Sequence, residues 1–357
     1  MTSAAPALGH VLVTGGAGFI GCALSQILAA QADSWTAVDN LHPQVHPTGQ
    51  RPELLHEAAR LVVGDVTEPQ TWAQLGQLRP TTVIHLAAET GTGQSLTEAS
   101  RHGLVNVVGT TRLTDWLGQV GHRPDHLLLS SSRAVYGEGA WKAADGSIWY
   151  PGQRSHDMLA RGEWDFPGSI ATPARADRTQ PQPTSVYGAT KLAQEHILAA
   201  WCLSQGVPLS IFRLQNVYGP GQSLTNTYTG IVTLFSRLAK SGQSIPVYED
   251  GDIVRDFVFI DDVAGALAAG LAQPPTAHRT LDVGTGVSTT IAGLAAELAD
   301  LYAAPAPHVN GKFRDGDVRY ALADIGQTVA SVPWAPQIDL RTGLTRLGAW
   351  IDEQGEQ

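Results

Sequence analysis

Tyr187 and Lys191 are the two residues of this sequence whose types and spacing best suit acid–base chemistry. They stand four positions apart, so both side chains share one face if the segment is helical. A free tyrosine has a pKa of about 10, too high for a base at neutral pH, whereas a neighbouring ammonium favours the phenolate and lowers that pKa. The pair therefore predicts a tyrosine base that removes a proton from a hydroxyl group.

Ser132 is the last of three consecutive serines that follow the apolar residues 126–129 of a predicted strand. Open parallel sheets bind their ligands at the carboxyl ends of strands, which is where this hydroxyl would lie. We expect Ser132 to hold a substrate hydroxyl, or the carbonyl oxygen that develops from it, in line with Tyr187. The Tyr-x-x-x-Lys spacing is common by chance. It supports a catalytic role here because it comes after both a glycine-rich turn and the serine run in the sequence.

The glycine-rich turn near the start of the chain has the spacing of a dinucleotide site. Gly15, Gly18 and Gly21 are arranged as G-x-x-G-x-x-G between a predicted strand and a predicted helix. Residues without a Cβ let the backbone approach a pyrophosphate, to which the helix N-terminus offers free N–H groups and a partial positive charge. The pattern alone is weak, but its strand–turn–helix context supports the prediction.

Asp39 ends the second predicted strand and indicates which dinucleotide is bound. A carboxylate there accepts hydrogen bonds from a ribose 2′-OH and repels a 2′-phosphate, which favours NAD over NADP; loop capping is the alternative role. The positive nicotinamide would favour the Tyr187 phenolate further and accept the hydride. The predicted cofactor contacts are Gly15, Gly18, Phe19, Ile20, Gly21, Asp39, Asn40, Asp65, Val66, Leu86, Ala87, Ala88, Tyr187 and Lys191.

Short apolar runs alternate with helical patterns through the first part of the chain. Apolar strands without strict polar alternation predict a parallel sheet covered by helices on both faces, which is an α/β doubly wound (Rossmann) fold. The predicted strands cover residues 10–13, 35–38, 60–63, 82–86, 126–129 and 209–214, and the clearest helices between them cover 21–30 and 104–119.

The alternation weakens after about residue 215. We predict a dinucleotide-binding domain over 1–215 and a smaller C-terminal α/β lobe over 216–357 that mainly binds substrate. Residues 138–184 form a Gly- and Pro-rich insertion with five aromatic residues between 141 and 166. Loops this long are usually functional or disordered, so an ordered lid, a packed insertion and plain loop packing all stay open. The elements predicted in the lobe are helices over 230–240 and 291–302 and a strand over 257–260.

Composition excludes several classes of protein. Charged residues make up 16% of the chain and the net charge is -10, which argues against a general nucleic-acid or membrane-surface binder. Cys22 and Cys202 are the only cysteines, and no spacing of Cys and His predicts a disulfide framework or a metal site. The first residues lack a basic region, and glycines interrupt the following apolar run. We therefore expect a cytoplasmic protein without a membrane span.

Taken together, these motifs resemble the extended short-chain dehydrogenase/reductase family, and in particular its NAD-dependent epimerase/dehydratase group. The resemblance covers nearly the whole chain. It rests on the glycine turn, on the pair Tyr187 and Lys191, and on the segments 85–89, 130–137, 213–221, 255–257, 261–263 and 314–317. It implies an NAD-dependent enzyme that acts on a nucleotide-diphosphate sugar. It also implies a homodimer formed through helices over roughly 104–118 and 186–203.

The resemblance further implies that Asn216 contacts the diphosphate and that Arg255 and Arg314 pair with its phosphates. Two guanidinium groups can neutralise a diphosphate in an otherwise acidic protein, although a structural ion pair is the alternative role for each. The implied substrate contacts are Glu89, Thr90, Ser132, Arg133, Asn216, Arg255 and Arg314.

The residues after Ser132 bear on the type of reaction. Dehydratases of this group carry two acidic residues there, whereas this sequence has Arg133 and Ala134, which favours epimerisation at C4. Residues 89–95, 132–139 and 215–230 are most similar to bacterial 4-epimerases acting on dTDP-L-rhamnose and forming dTDP-6-deoxy-L-talose. Another nucleotide-sugar epimerase (UDP- or GDP-hexose), a 4-ketoreductase, a dehydratase and a non-catalytic NAD-binding protein remain alternatives.

Overall fold

The structure is a computed structural model that describes residues 8–224 and 230–355. The strands are β1 (His10–Thr14), β2 (Ser34–Asp39), β3 (Arg60–Val63), β4 (Thr82–His85), β5 (His126–Ser132), β6 (Trp141–Ala143), β7 (Ile148–Trp149), β8 (Ser169–Ala171), β9 (Leu209–Leu214), β10 (Asn216–Tyr218), β11 (Pro246–Val247), β12 (Val254–Arg255), β13 (Phe257–Phe259), β14 (His278–Val283), β15 (Thr289–Thr290), β16 (His308–Val309) and β17 (Tyr320–Ala321). The helices are α1 (Phe19–Gln31), α2 (Pro69–Leu75), α3 (Ala99–His102), α4 (Gly109–Gln119), α5 (His156–Ala160), α6 (Val186–Gln205), α7 (Ile231–Lys240), α8 (Ile260–Ala272), α9 (Ile291–Leu301), α10 (Gly326–Ser331) and α11 (Leu340–Gly355).

Seven strands form one central sheet in the order β3-β2-β1-β4-β5-β9-β14. Every neighbouring pair in it is parallel. The strand order reverses between β1 and β4, and such a switch point opens a crevice at the carboxyl edge of the sheet. The predicted doubly wound α/β fold is confirmed.

Helices cover both faces of this sheet because its strands are apolar on both sides. On one face, Leu24 and Leu28 of α1 pack with α8 over the strands. On the other, Leu113 and Leu117 of α4 pack with Leu198 of α6. The two layers hold the carboxyl edge in place. None of the helices in the described ranges 8–224 and 230–355 is long and apolar enough to cross a bilayer.

The central sheet also uses chain from beyond residue 215. Strand β14 extends the sheet by pairing with β9 along its whole length, and α8 packs on α1; neither element was predicted. The remaining short sheets, β10-β13, β11-β16 and β15-β12-β17, surround a separate apolar core. The predicted division into 1–215 and 216–357 stays a prediction.

The insertion 138–184 folds into the antiparallel sheet β7-β6-β8 together with α5. Trp141 is buried and meets the Phe166 ring edge-on at 5.0 Å between centroids. Arg154, also buried, donates to Glu138 at 3.1 Å and to both carboxylate oxygens of Glu249 at 2.8 and 2.9 Å. Because Glu249 lies outside the insertion, these ion pairs fasten the insertion to the C-terminal part of the chain.

The helix predicted over 104–119 begins with a π-helical turn, Gly103–Val108, that continues into α4. Inside this turn the buried Asn106 side chain donates to Glu89 O at 3.0 Å and to Thr190 Oγ1 at 2.9 Å. Its carbonyl oxygen accepts from Glu89 N at 2.7 Å. Turns of this kind are frequent at functional sites, and this one ties α4 to α6 and to the segment that follows β4.

Candidate active site

A cleft of about 430 Å³ opens at the carboxyl edge of the sheet, around the switch point. All predicted site residues line it except Arg255 and Arg314. The lining members of that set are Gly15, Gly18, Phe19, Ile20, Gly21, Asp39, Asn40, Asp65, Val66, Leu86, Ala87, Ala88, Glu89, Thr90, Ser132, Arg133, Tyr187, Lys191 and Asn216. Of the stretch 215–230, residues 225–229 lie outside the described part of the chain.

The glycine turn has the shape that a pyrophosphate needs. Gly15 has a φ of +67°, and a Cβ there would come within 2.6 Å of Ala87 N. A Cβ on Gly21 would come within 2.5 Å of Gly16 O. Gly18 precedes α1 without any side-chain cap, so the first N–H groups of the helix remain available to an anion. The turn therefore fits a dinucleotide.

Asp39 lies beside this turn at the end of β2. Its two carboxylate oxygens accept from Ala17 N at 3.1 Å and from Leu41 N at 2.9 Å. These bonds fix the carboxylate but leave each oxygen a lone pair for a ribose hydroxyl. Asn40 donates to Asp65 Oδ2 at 2.9 Å, which joins the ends of β2 and β3 at the cleft wall.

Ser132 and Tyr187 meet inside the cleft. Ser132 ends β5, and its Oγ accepts from Ala134 N at 3.2 Å. Tyr187 lies in the first turn of α6, whose N-terminus is capped by Ser185. Gly188 allows α6 to approach the turn after β5, since a Cβ there would lie 2.4 Å from Ala134 O. This close packing brings the phenol near the Ser132 side chain, which favours the phenolate.

The pKa of Tyr187 reflects opposing effects. Burial raises it above its ordinary value, and the Ser132 side chain and the charge of Arg133 oppose that rise. The role of Lys191 as the cation that lowers this pKa stays a prediction. Its ammonium donates to Ser130 O at 2.7 Å and to Gln194 Oε1 at 2.5 Å.

Lys191 itself is buried, and this burial lowers its pKa to about 7, opposed by the charge of Glu195. The amine therefore titrates near neutral pH, and the groups around it decide how much of it is an ammonium. Glu195 is itself paired with Arg213 at 2.7 Å and accepts from Ser131 Oγ at 2.5 Å.

Arg133 places a second positive charge in the cleft. Its Nε donates to Asn216 Oδ1 at 2.9 Å, and no ion pair of this residue occurs within residues 8–224 and 230–355. Burial and the charge of nearby Arg255 together lower the pKa of Arg133 to about 10, so the guanidinium stays charged at neutral pH. A half-buried cation without a carboxylate partner among the described residues is suited to an anionic group such as a phenolate or a phosphate.

Arg255 and Arg314 do not line the cleft. Arg255 is buried and donates to Asp317 Oδ1 at 2.7 Å and to the carbonyls of Val254 and Val318. Arg314 is exposed, with its guanidinium carbon 5.2 Å from the centre of the Tyr248 ring. The ion pair that was the alternative for Arg255 is present.

Several cleft residues were not predicted. His42, Gln44 and His46 come from the loop after β2, and their place behind a strand at the carboxyl edge could have indicated them. Glu89 is paired with Arg101 at 2.9 Å, a contact for which the sequence holds no signal.

No group of three or more potential metal ligands occurs among the described residues.

The family model described as NAD dependent epimerase/dehydratase matches residues 11–156 and 162–284. The chain is 60% identical over 345 residues to a dTDP-L-rhamnose 4-epimerase of Burkholderia thailandensis, covering 96% of this chain and 95% of the relative.

Solved structures resemble the whole chain. One is the UDP-glucose 4-epimerase of Thermotoga maritima with UDP-glucose, at 26% identity and a TM-score of 0.79, covering 97% of this chain and 99% of that one. Another is the UDP-glucose 4-epimerase of Thermus thermophilus in complex with NAD, at 26% identity and a TM-score of 0.75, covering 96% and 99%.

Proposed function

The chain belongs to the NAD dependent epimerase/dehydratase family, and on that premise we propose that it is a nucleotide-sugar 4-epimerase. The proposed substrate is dTDP-L-rhamnose, and the proposed product is dTDP-6-deoxy-L-talose. The proposal depends chiefly on the cleft in which Ser132, Tyr187 and Lys191 share walls with the glycine turn. The similarity to the Burkholderia thailandensis epimerase supports the choice of sugar and nucleotide.

The mechanism assigns each step to a residue of the cleft. Tyr187 removes the proton of the C4 hydroxyl, while Ser132 donates a hydrogen bond to the same oxygen as it becomes a carbonyl. The glycine turn and Asp39 would hold NAD, which would accept the hydride from C4 and later return it. After the 4-keto sugar rotates, Tyr187 returns the proton to the oxygen as the hydride returns to the opposite face of C4. No net oxidation results.

Arg133 supports epimerisation rather than dehydration. Loss of water from the sugar needs acidic groups that shuttle protons, and the residues after Ser132 are Arg133 and Ala134. The guanidinium stays protonated near neutral pH and cannot accept a proton there. Its charge instead favours the Tyr187 phenolate, which is the base that epimerisation requires.

The substrate diphosphate is proposed to bind near Asn216, with Arg133 contributing charge from the cleft wall. Glu89 and Thr90 are proposed to contact the sugar, since both line the same cleft as Ser132. Arg255 and Arg314 are proposed phosphate partners that act from the C-terminal part of the chain. For Arg255 this requires a phosphate to share or replace its bond to Asp317.

Wider features of the molecule are also proposals. Residues 216–357 are proposed to form mainly a substrate lobe, although α8 and β14 pack with the central sheet. A homodimer is supported by exposed apolar side chains on the helices expected to pair, namely Leu104, Val108 and Leu203. A cytoplasmic location is supported by two buried free thiols.

The test is incubation of purified protein with dTDP-L-rhamnose and, separately, UDP-glucose, without added cofactor, followed by proton NMR. We expect inversion at C4 of dTDP-L-rhamnose with no net change in reduced nicotinamide. In a parallel reaction with NADH added, its consumption would indicate a ketoreductase, and loss of water from the sugar would indicate a dehydratase. The Tyr187→Phe variant should keep the fold and the dinucleotide but lose turnover by about 10²–10⁴-fold. Lack of turnover on any nucleotide sugar would contradict the proposed class.

A further inference from the structure

Gln194 lies behind the catalytic lysine in the closed interior of the protein. It follows Lys191 by three positions on α6, so the two side chains share a face of the helix. Gln194 is fully buried. Its Oε1 accepts from Lys191 Nζ at 2.5 Å, and its Nε2 donates to Thr110 Oγ1 at 2.8 Å and lies 3.2 Å from His85 Nε2.

The orientation of the Gln194 amide follows from these contacts. Turning the amide over would bring its NH₂ group against the Lys191 ammonium, two donors facing one another without an acceptor. It would also remove the donor that Thr110 accepts. The carbonyl oxygen of Gln194 therefore faces Lys191.

The residues that hold Gln194 are themselves fixed by three other elements. Burial, together with the charge of Lys191, lowers the pKa of His85 to about 3, so its ring is neutral at working pH. His85 contacts Thr14 Oγ1 at 2.6 Å at the end of β1 and Thr110 Oγ1 at 2.9 Å on α4. Thr110 donates to Asn106 O at 2.6 Å. The network reaches the strand that leads into the glycine turn.

We infer that Gln194 is a positioning residue. Held by its contacts with His85 and Thr110, it keeps Lys191 in place and in its protonated form. Two acceptors, Ser130 O and Gln194 Oε1, take two of the three ammonium protons, and the third remains for the cleft. Without these acceptors the buried amine would lose its proton at a lower pH, and with it the charge that the reaction uses. The inference rests on the proposed function for the meaning of that charge.

The charged and titratable groups around Lys191 come from three elements. Glu195 and Tyr187 share α6 with it, His85 faces it from β4, and Arg213 on β9 is paired with Glu195. Gln194 differs from these because it accepts directly from Nζ without carrying charge. Its replacement therefore changes the stabilisation of the ammonium in a direction that depends on the new side chain.

The test measures the protonation of Lys191 directly by NMR. The sequence contains only four lysines, so protein labelled with ¹³C at lysine Cε gives four signals, with the Lys191 signal assigned by Lys191→Arg. Gln194→Met keeps the length of the side chain but removes the acceptor, and should move the Lys191 midpoint to lower pH by about one pH unit. Gln194→Glu adds a carboxylate and should move it to higher pH.

Leu198→Met, a buried change one helical turn further along α6, is the control and should leave the midpoint in place. Midpoints that stay unchanged in both Gln194 variants, or that move in the same direction, would overturn the inference. If Gln194→Met does not fold, the test uses Gln194→Glu alone. A Lys191 midpoint that stays unchanged in that variant would also overturn the inference.

The NMR titration needs no turnover, so it separates this inference from the proposed function. In the epimerase assay, the limb of kcat that falls at high pH should follow the Lys191 midpoint in each variant, while KM changes little. Midpoints that move without any epimerase activity in the unsubstituted protein would contradict the proposed function and leave the role of Gln194 standing.

Discussion

Opposing effects act on the pKa of the Tyr187 phenol. Burial raises its pKa, whereas Ser132 and Arg133 stabilise the phenolate. Lys191, which the sequence suggests as the main partner, directs its bonds to Ser130 and Gln194. The base and the ammonium are therefore tuned by different neighbours, and their substitutions should affect different limbs of the pH profile.

The first prediction concerns Arg133→Met. Removing a positive charge that faces the phenol raises the pKa of Tyr187, and the phenolate is populated only above that pKa. The rising limb of kcat should move to higher pH, and kcat measured below that limb should fall about 10-fold for each pH unit by which the limb moves. Arg133→Lys, which keeps the charge, should move the limb less. A rising limb that stays in place in Arg133→Met would contradict the role of Arg133.

The sequence was sufficient to find the residue types of the cleft, because strand ends and glycine spacing are local patterns. It could not reveal partners that lie far along the chain. His85 meets Gln194 across 109 positions, and Arg255 meets Asp317 across 62. Whether an arginine faces a ligand or a carboxylate depends on such partners, which explains the unpredicted burial of Arg255.

At the scale of elements, the turn from β1 to α1 controls the dinucleotide. Gly15→Ala should lower NAD affinity by more than about 10-fold, since its Cβ would press on the backbone of Ala87 where the pyrophosphate must approach. Isothermal titration with NAD measures this. Gly206→Ala is the control because it has a similar φ of +67° and no atom near its Cβ. That control should lose about 1–2 kcal/mol of stability without losing NAD affinity.

The insertion illustrates a second kind of element. Arg154→Met leaves Glu138 and Glu249 in the interior without this counter-charge, and we expect it to cost about 3–5 kcal/mol in urea unfolding. Arg161→Met, in the same insertion but exposed and paired with the exposed Glu163, should cause no measurable change. Equal stability of the two variants would show that the buried ion pairs do not fasten the insertion.

Six strands of the sheet were predicted because their apolar runs are bounded by turn residues. Strand β14 was missed because its first residues, His278 and Arg279, are polar and only its second half is buried. The strands of the insertion escaped prediction because each has only two or three residues, too few to display a period. The insertion is held in place by packing against Phe166 and by the ion pairs of Arg154, which join residues far apart in the sequence.

At the scale of the whole molecule, an acidic protein with a net charge of -10 offers an anionic ligand a small set of positive groups. These are the N-terminus of α1, Lys191 and Arg133 in the cleft, with Arg101 paired at its wall. Electrostatic stabilisation is therefore concentrated where the sugar and the dinucleotide must meet, and a placed charge is worth more there than on a solvated surface.

The central claim is that C4 of the sugar is oxidised transiently and then reduced with the same hydride. The direct measurement uses dTDP-L-rhamnose carrying deuterium at C4, with the product analysed by NMR and mass spectrometry. We predict that dTDP-6-deoxy-L-talose forms with the deuterium retained at C4. Inversion with loss of the label to solvent, or no inversion at all, would contradict transient oxidation at that carbon.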